Sequence, residues 1–273
     1  MLIFHRRSVV PWYQDRTGNP TNIISINYCQ LISIRLMDDT VQALTDAKRA
    51  AGYRAADLAE DGMVLGLGTG STVFYALERL SCRIREGLQV RGIPTSYQTA
   101  RRAIDYGIPL TTLDEEPVPD LVIDGADQVD ACLFLIKGRG AALTREKCVA
   151  DAGHRLLIVV DEQKVVRTLS APVPVEVIPF AIRPVMTRLE GLGCIPSLRE
   201  GIKKDGPVIT DNGNFIVDCR FDRLDNPGEL ETTLSGIPGV IESGLFCSYT
   251  GKTTVIIGNT KKCKIMTSAD IVP

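Results

Sequence analysis

The chain has 273 residues, 44% of them hydrophobic and 23% charged, and a formal net charge of −2. This is the balance of a folded globular protein with room for one large domain or two modest ones. It excludes a general binder of nucleic acid or of anionic membranes, because there is no basic field, and no apolar run reaches the roughly 18–20 residues of a membrane span.

Residues 1–40 stand apart. They are poor in acids and carry His5, Arg6, Arg7, Arg16 and Arg35, and their short, interrupted apolar stretches do not form the continuous core of a secretory signal. We read them as a poorly ordered N-terminal extension, with organelle targeting as the alternative and Met37 as a candidate start. From residue 41 the pattern becomes regular. Residues 41–58 predict an alanine-rich helix with Asp39 or Thr40 as N-cap. An apolar strand at 63–67 runs into GLGTGST, residues 66–72, and a helix follows to about residue 80. A strand at 88–93 turns at Pro94-Thr95-Ser96 into a helix through Arg101 and Ile104. Strands at 121–123, 133–136 and 156–160 end in DGAD (124–127), KGRG (137–140) and Asp161, with a helix at 141–150 between the last two. Strands alternating with helices predict a parallel sheet covered on both faces, a Rossmann-like α/β domain.

From residue 172 the order changes to strand 173–178, helix 182–192, strand 195–198, a strand region at 208–219 broken by Asp211-Asn212-Gly213-Asn214, helix 227–234 and strand 240–246. This β-α-β-β-α-β order predicts an inserted ferredoxin-like α+β domain. A strand at 253–257 then returns to the first sheet. The expected division is 41–170 plus 251–273 for the Rossmann-like domain and 171–250 for the insert.

Four loops follow predicted strands of the first domain, so they should share one crevice at the carboxyl ends of the strands. In GLGTGST, glycines permit a tight turn, and Thr69, Gly70, Ser71 and Thr72 offer amides and hydroxyls at a helix N-terminus, which favours an anion such as phosphate. The spacing is neither GxGxxG nor a nucleotide P-loop, and a plain strand-to-helix turn is the alternative. In DGAD, Gly125 and Ala126 separate Asp124 from Asp127, a carboxylate pair suited to holding hydroxyls and moving a proton, or to capping a helix. In KGRG, Lys137 is a fixed cation able to stabilise an oxyanion. On the helix that follows, Ala142, Leu143, Val149 and Ala150 form an apolar face with Glu146 at its centre, while Thr144, Arg145 and Lys147 point elsewhere. A carboxylate there is costly unless it has a task or a partner, and burial raises its pKa towards the range of a general base. A structural ion pair is the other reading. Lys164, after the strand ending at Asp161, and Lys48, on the first helix, are further candidate cations for the same crevice.

Eight cysteines without CxxC spacing and only two histidines, His5 and His154, leave zinc, thioredoxin-type and serine–histidine chemistry without their signatures. Reduced, partly buried thiols fit instead.

Taken together, GLGTGST, DGAD, KGRGAALTREK, PVEVIP (174–179) and TDNGN (210–214), in that order, resemble the A-type ribose-5-phosphate isomerase family from about residue 45 to the C-terminus. The resemblance implies Glu146 as catalytic base, with Asp124 and Lys137 beside it. It implies substrate contacts at Thr69, Gly70, Ser71, Thr72, Asp124, Gly125, Ala126, Asp127, Lys137, Gly138, Arg139, Gly140 and Lys164, with Lys48 near the phosphate. It also implies a sugar-phosphate substrate, no metal or other cofactor, and a homodimer or homotetramer; the charge balance argues against a nucleic-acid or membrane partner, and reduced thiols suit the cytoplasm or a plastid. Two positions depart from the family pattern. Arg139 replaces the middle of three glycines, where a positive φ would cost an arginine about 1–2 kcal/mol. Gln128 replaces a glutamate after DGAD. The rival readings are the sugar-phosphate-sensing domain of a deoxyribose-repressor-type regulator and an isomerase for another phosphosugar. The first expects a helix-turn-helix ahead of the sensor, a pattern not recognisable in residues 1–40.

Overall fold

The computed structural model describes residues 28–260 and 262–270, with side chains from Thr40 onward. The chain divides into two compact units, Met1–Val41 and Gln42–Pro273. The first unit is described as backbone from Tyr28, with side chains at Thr40 and Val41; of the poorly ordered extension expected over residues 1–40, residues 1–27 lie outside the described residues and residues 28–40 are helical. Apart from the start of the first helix, everything below concerns the second unit.

Helix α1 is Tyr28–Ala56, so Asp39 and Thr40 lie inside a helix and do not cap one. Residues 28–40 contain no glycine or proline to stop it. Then come β1 (Val64–Leu67), α2 (Val73–Arg85), β2 (Arg91–Pro94), α3 (Tyr97–Asp105), β3 (Leu121–Gly125), β4 (Gln128–Val129), β5 (Leu135–Ile136), α4 (Leu143–Ala152) and β6 (Leu156–Asp161). β7 (Val173–Val177), α5 (Ile182–Gly191), β8 (Cys194–Leu198), β9 (Phe215–Phe221), α6 (Pro227–Ser235) and β10 (Val240–Ser243) follow. The chain continues through β11 (Leu245–Phe246), β12 (Thr253–Gly258) and β13 (Cys263–Thr267).

The main sheet has the order β13-β12-β6-β3-β1-β2, parallel except for β13. Its central strands are apolar runs with no exposed residue, as expected when helices cover both faces. Alternation along the strands separates two cores. Leu65, Leu67, Leu121, Ile123, Leu157 and Val159 pack with Ala51, Ala55 and Leu77 on one face, while Val64, Val122, Leu156, Ile158 and Val160 pack with Val149 and Ala150 on the other. A four-stranded antiparallel sheet, β10-β7-β9-β8, buries Val173, Val175, Val177 and Val217 with Val185 and Leu189 of α5 and Leu234 of α6. Its order is that of the ferredoxin-like plan, inserted in a Rossmann-like α/β frame.

Two further expectations need correction. The strand before KGRG is not part of the parallel sheet. It is β5, in a small antiparallel sheet of order β11-β5-β4. A two-residue apolar strand carries no signal of which sheet it joins. Residues 208–210 form no strand, only an isolated bridge of Ile209 with Phe215. No helix among the described residues is long and apolar enough to cross a membrane.

Candidate active site

β6, β3 and β1 are neighbours in the sheet, so their carboxyl ends lie side by side. Beyond them is a crevice of about 420 Å³, within the size range of small-molecule sites. Every predicted contact residue lines it except Asp124, and α4 contributes Glu146 to the wall. Lys48 enters from α1, and Lys164 from the single helical turn after β6.

Asp124 is fully buried just behind this wall. Its Oδ1 accepts hydrogen bonds from the amides of Gly125 (2.7 Å) and Thr69 (3.2 Å). The carboxyl is packed so closely on Gly68 that a Cβ there would collide with it, which is why the turn needs glycine. Lys137, also buried, places Nζ 3.0 Å from Asp124 Oδ2 and 3.0 Å from Glu146 Oε2, and donates to the Gly125 carbonyl at 2.5 Å. Neither Oδ2 nor Oε2 makes a well-directed hydrogen bond, although both are buried. The ammonium therefore neutralises them by proximity while each retains accepting capacity.

Burial pushes the Glu146 carboxyl up to about 8, the charge of Asp124 adds to the rise, and Lys137 opposes it. Burial also raises Asp124, against the pull of Lys137. Burial works against the charge on Lys137, but the two carboxylates outweigh it and hold the ammonium above its ordinary value. The group thus combines a carboxyl that titrates near neutrality with a cation that stays charged. Such a pair can take a proton from carbon while negative charge builds on a neighbouring oxygen.

The apolar face predicted for α4 is present: Leu143, Glu146, Val149 and Ala150 are buried. Lys147 is buried too, against expectation. Its Nζ lies 2.9 Å from Glu231 and 2.7 Å from Glu242, partners that arrive from α6 and β10 and cannot be read locally. The Thr69 hydroxyl is committed to neighbours rather than to the crevice. It sits 2.8–3.1 Å from the hydroxyls of Thr95, Ser96 and Thr99, and Ser96 caps α3 through the Thr99 amide. The hydroxyl-rich start of α3 was the sequence signal for this cluster. Phe74, Gln98 and Gln163 also line the crevice and were not anticipated.

Arg139 is largely exposed, its amide donates to Asp127 Oδ2 at 2.9 Å, and its Nε lies 3.8 Å from Asp127 Oδ1. The positive φ values of this loop belong to Gly138 (100°) and Ala141 (59°), so arginine carries no left-handed strain. Gln128 uses both ends of its amide. Its oxygen accepts from the amides of Ser170 (2.7 Å) and Ala171 (2.9 Å), and its nitrogen donates to Ser170 Oγ (3.2 Å). A further residue holds the KGRG backbone: Arg199 pairs with Asp218 and donates to the carbonyls of Gly138 and Arg139, both at 3.0 Å. Among the described residues, no group of three or more His, Cys, Asp or Glu side chains is arranged to hold a metal ion.

The model of ribose 5-phosphate isomerase A (phosphoriboisomerase A) matches residues 91–262. Ribose-5-phosphate isomerase A of Methanoregula boonei is 64% identical over 237 residues, covering 87% of this chain and all of that protein. The structure of ribose 5-phosphate isomerase A from Methanocaldococcus jannaschii is 44% identical, with a TM-score of 0.78 over 81% of this chain and 98% of that one. A D-ribose-5-phosphate isomerase in complex with phospho-erythronic acid is 43% identical, with a TM-score of 0.79 over 82% of this chain and 99% of that one. The chain belongs to the ribose 5-phosphate isomerase A family.

Proposed function

We propose that the chain interconverts D-ribose 5-phosphate and D-ribulose 5-phosphate, as an aldose–ketose isomerase working through an enediolate. The observation that carries this reading is the buried Asp124–Lys137–Glu146 group against the wall of the crevice, with two carboxylate oxygens still able to accept. The known complex of a relative with phospho-erythronic acid supports a phosphorylated ligand. The phosphate binds at the start of α2, where the amides of Gly70, Ser71 and Thr72 precede the first helical hydrogen bonds, with Lys48 and Lys164 nearby. Asp124, acting through the ammonium of Lys137 that stands between it and the crevice, serves ring opening, in which the anomeric hydroxyl loses a proton and the ring oxygen gains one. Ionised Glu146 then takes the proton from C2 of the open aldehyde. The electron pair moves through the C1–C2 bond onto the carbonyl oxygen, where Lys137 stabilises it. The proton of the C2 hydroxyl passes to that oxygen, and Glu146 returns its own proton to C1 as C2 becomes the carbonyl carbon, giving the ketose. One carboxylate reaches both carbons because they are adjacent. Asp127, Gly138, Arg139 and Gly140, which also line the crevice, contact the sugar.

The same reading takes residues 41–170 with 251–273 as the catalytic domain and 171–250 as the insert. It places the chain in pentose phosphate metabolism, in the cytoplasm or a plastid, as a homodimer or homotetramer. The decisive experiment is ribulose 5-phosphate formation from ribose 5-phosphate, measured with a chelator present. Turnover should persist in chelator. In Glu146→Gln, kcat should fall by about 10²–10⁴ with KM within about threefold. A variant with near-normal kcat would remove Glu146 as the base, and loss of wild-type activity in chelator would overturn the metal-free mechanism.

A further inference from the structure

Two motifs of the sequence take no part in the crevice, PVEVIP and TDNGN, and they meet at one side chain. Glu176, on β7, is fully buried. Its Oε2 accepts from Thr144 Oγ1 at 2.6 Å, and its Oε1 accepts from Thr210 Oγ1 (2.8 Å), Asn212 Nδ2 (3.1 Å) and Asn214 Nδ2 (2.8 Å). Thr144 stands two positions before Glu146 on α4. The other three donors belong to the turn at 210–214, which is closed by Thr210 and Gly213 and leads into β9.

That turn also grips the residue next to the proposed base. Arg145 donates through Nε to Asn212 Oδ1 and through Nη2 to the Asp211 carbonyl, both at 2.8 Å, and its guanidinium lies 4.7 Å from the Tyr97 ring centroid. Asp211 Oδ2 in turn accepts from the Tyr97 amide at 2.7 Å, at the start of α3. Thr144 and Arg145 are thus both tied to the second sheet's framework through Glu176 and its turn, and Glu146 is the next residue along.

We propose that Glu176 is a positioning residue for Glu146, fixing the first turn of α4 so that the reacting carboxylate meets Lys137. This rests on the assignment of Glu146 as base. The requirement is for geometry. Four neutral donors converge on two oxygens, and the Asn212 amide is oriented because its own oxygen receives Arg145. A glutamine can satisfy the same set. Its oxygen takes the three turn donors, and its nitrogen donates to Thr144 Oγ1, a hydroxyl free to rotate into the accepting role. An alanine cannot.

The test uses purified full-length variants, with circular dichroism and thermal melts beside steady-state kinetics on ribose 5-phosphate. Glu176→Ala should lower kcat by about 30–100-fold with KM within about threefold, because a small displacement of a reacting group costs on that order. Glu176→Gln should recover kcat to within about threefold of wild type. Thr144→Val keeps the shape of the side chain and cuts the single link between Glu176 Oε2 and α4. It should stay folded with a melt lowered by a few degrees, because Oε2 loses its donor, lower kcat by about tenfold and move the acidic limb of the pH–rate profile downward, as Glu146 loosens towards water. Wild-type kcat and pH profile in Thr144→Val would overturn the proposal, as would Glu176→Gln failing as badly as Glu176→Ala. Wild-type turnover and its loss in Glu146→Gln are measured in parallel, so failure of the isomerase reading is seen separately.

Discussion

Glu146 and Glu176 are both buried carboxylates that face α4 residues or lie on α4, yet their surroundings are opposite. Glu176 receives four directed hydrogen bonds from neutral donors and lies within ion-pairing distance of no cation among the described residues. Glu146 has a lysine at 3.0 Å, a second carboxylate across that lysine, and an Oε2 with no directed bond. A satisfied buried acid holds elements in place, because moving it would orphan several partners at once. An under-satisfied one keeps capacity for a ligand, and its proton equilibrium is set by a few nearby charges. The second sheet supplies rigidity, and the first supplies the unsettled charge.

The contrast breaks most visibly at Lys137. Lys137→Met should lower kcat by about 10²–10³ and destabilise the fold by about 3–5 kcal/mol, by leaving Asp124 buried without its cation. Denaturant titration and steady-state kinetics check the two effects. Retention of wild-type stability would show that the lysine does not neutralise the pair.

The titration of Glu146 sharpens the contrast. The base must be ionised, and its carboxyl is pushed up to about 8, so kcat/KM should rise about tenfold per pH unit towards that value and then level. Stability runs the other way. The folded state keeps a proton that the unfolded chain releases near its ordinary value of 4.5, so this contribution is present below 4.5 and is lost as pH rises through about 8. The melting temperature of Glu146→Gln relative to wild type should therefore climb across that window. A difference independent of pH would contradict the raised carboxyl.

Smaller effects are expected at the turn and the rim. Gly68→Ala should destabilise by about 1–3 kcal/mol, since its Cβ would collide with the Asp124 carboxyl. A melt matching wild type would show that the turn has slack. Arg139→Gly should change KM by less than about fivefold, because its pairing with Asp127 is long and solvent-screened. A larger KM effect would make the guanidinium a principal substrate contact.

Much of the architecture was legible in the chain. The alternation of apolar strands with helices, and the β-α-β-β-α-β order after residue 172, are local periodicities, and they matched the sheets found. The boundaries that failed were those without punctuation, as where α1 begins at Tyr28 with no breaker before Thr40. Glu146 was visible because a single acid interrupts an apolar helical stripe. Arg199 was not, because its bonds to the carbonyls of Gly138 and Arg139 span about 60 residues and an ordinary arginine after a strand gives no sign of them. Lys147 was misplaced for the same reason.

By itself the sequence determined which segments become strands and helices, where the glycine turn and the paired aspartates fall, and which acid is out of place on its helix. Each of these depends on residues within one or two turns of one another. Only the tertiary structure decided that Lys137 stands between Asp124 and Glu146, that the Thr69 hydroxyl is committed to the start of α3, and that Glu176 gathers α4 and the 210–214 turn. Those contacts join side chains distant in the chain. Their energies depend on burial and on the direction of a few hydrogen bonds, which exist only after the sheets have packed.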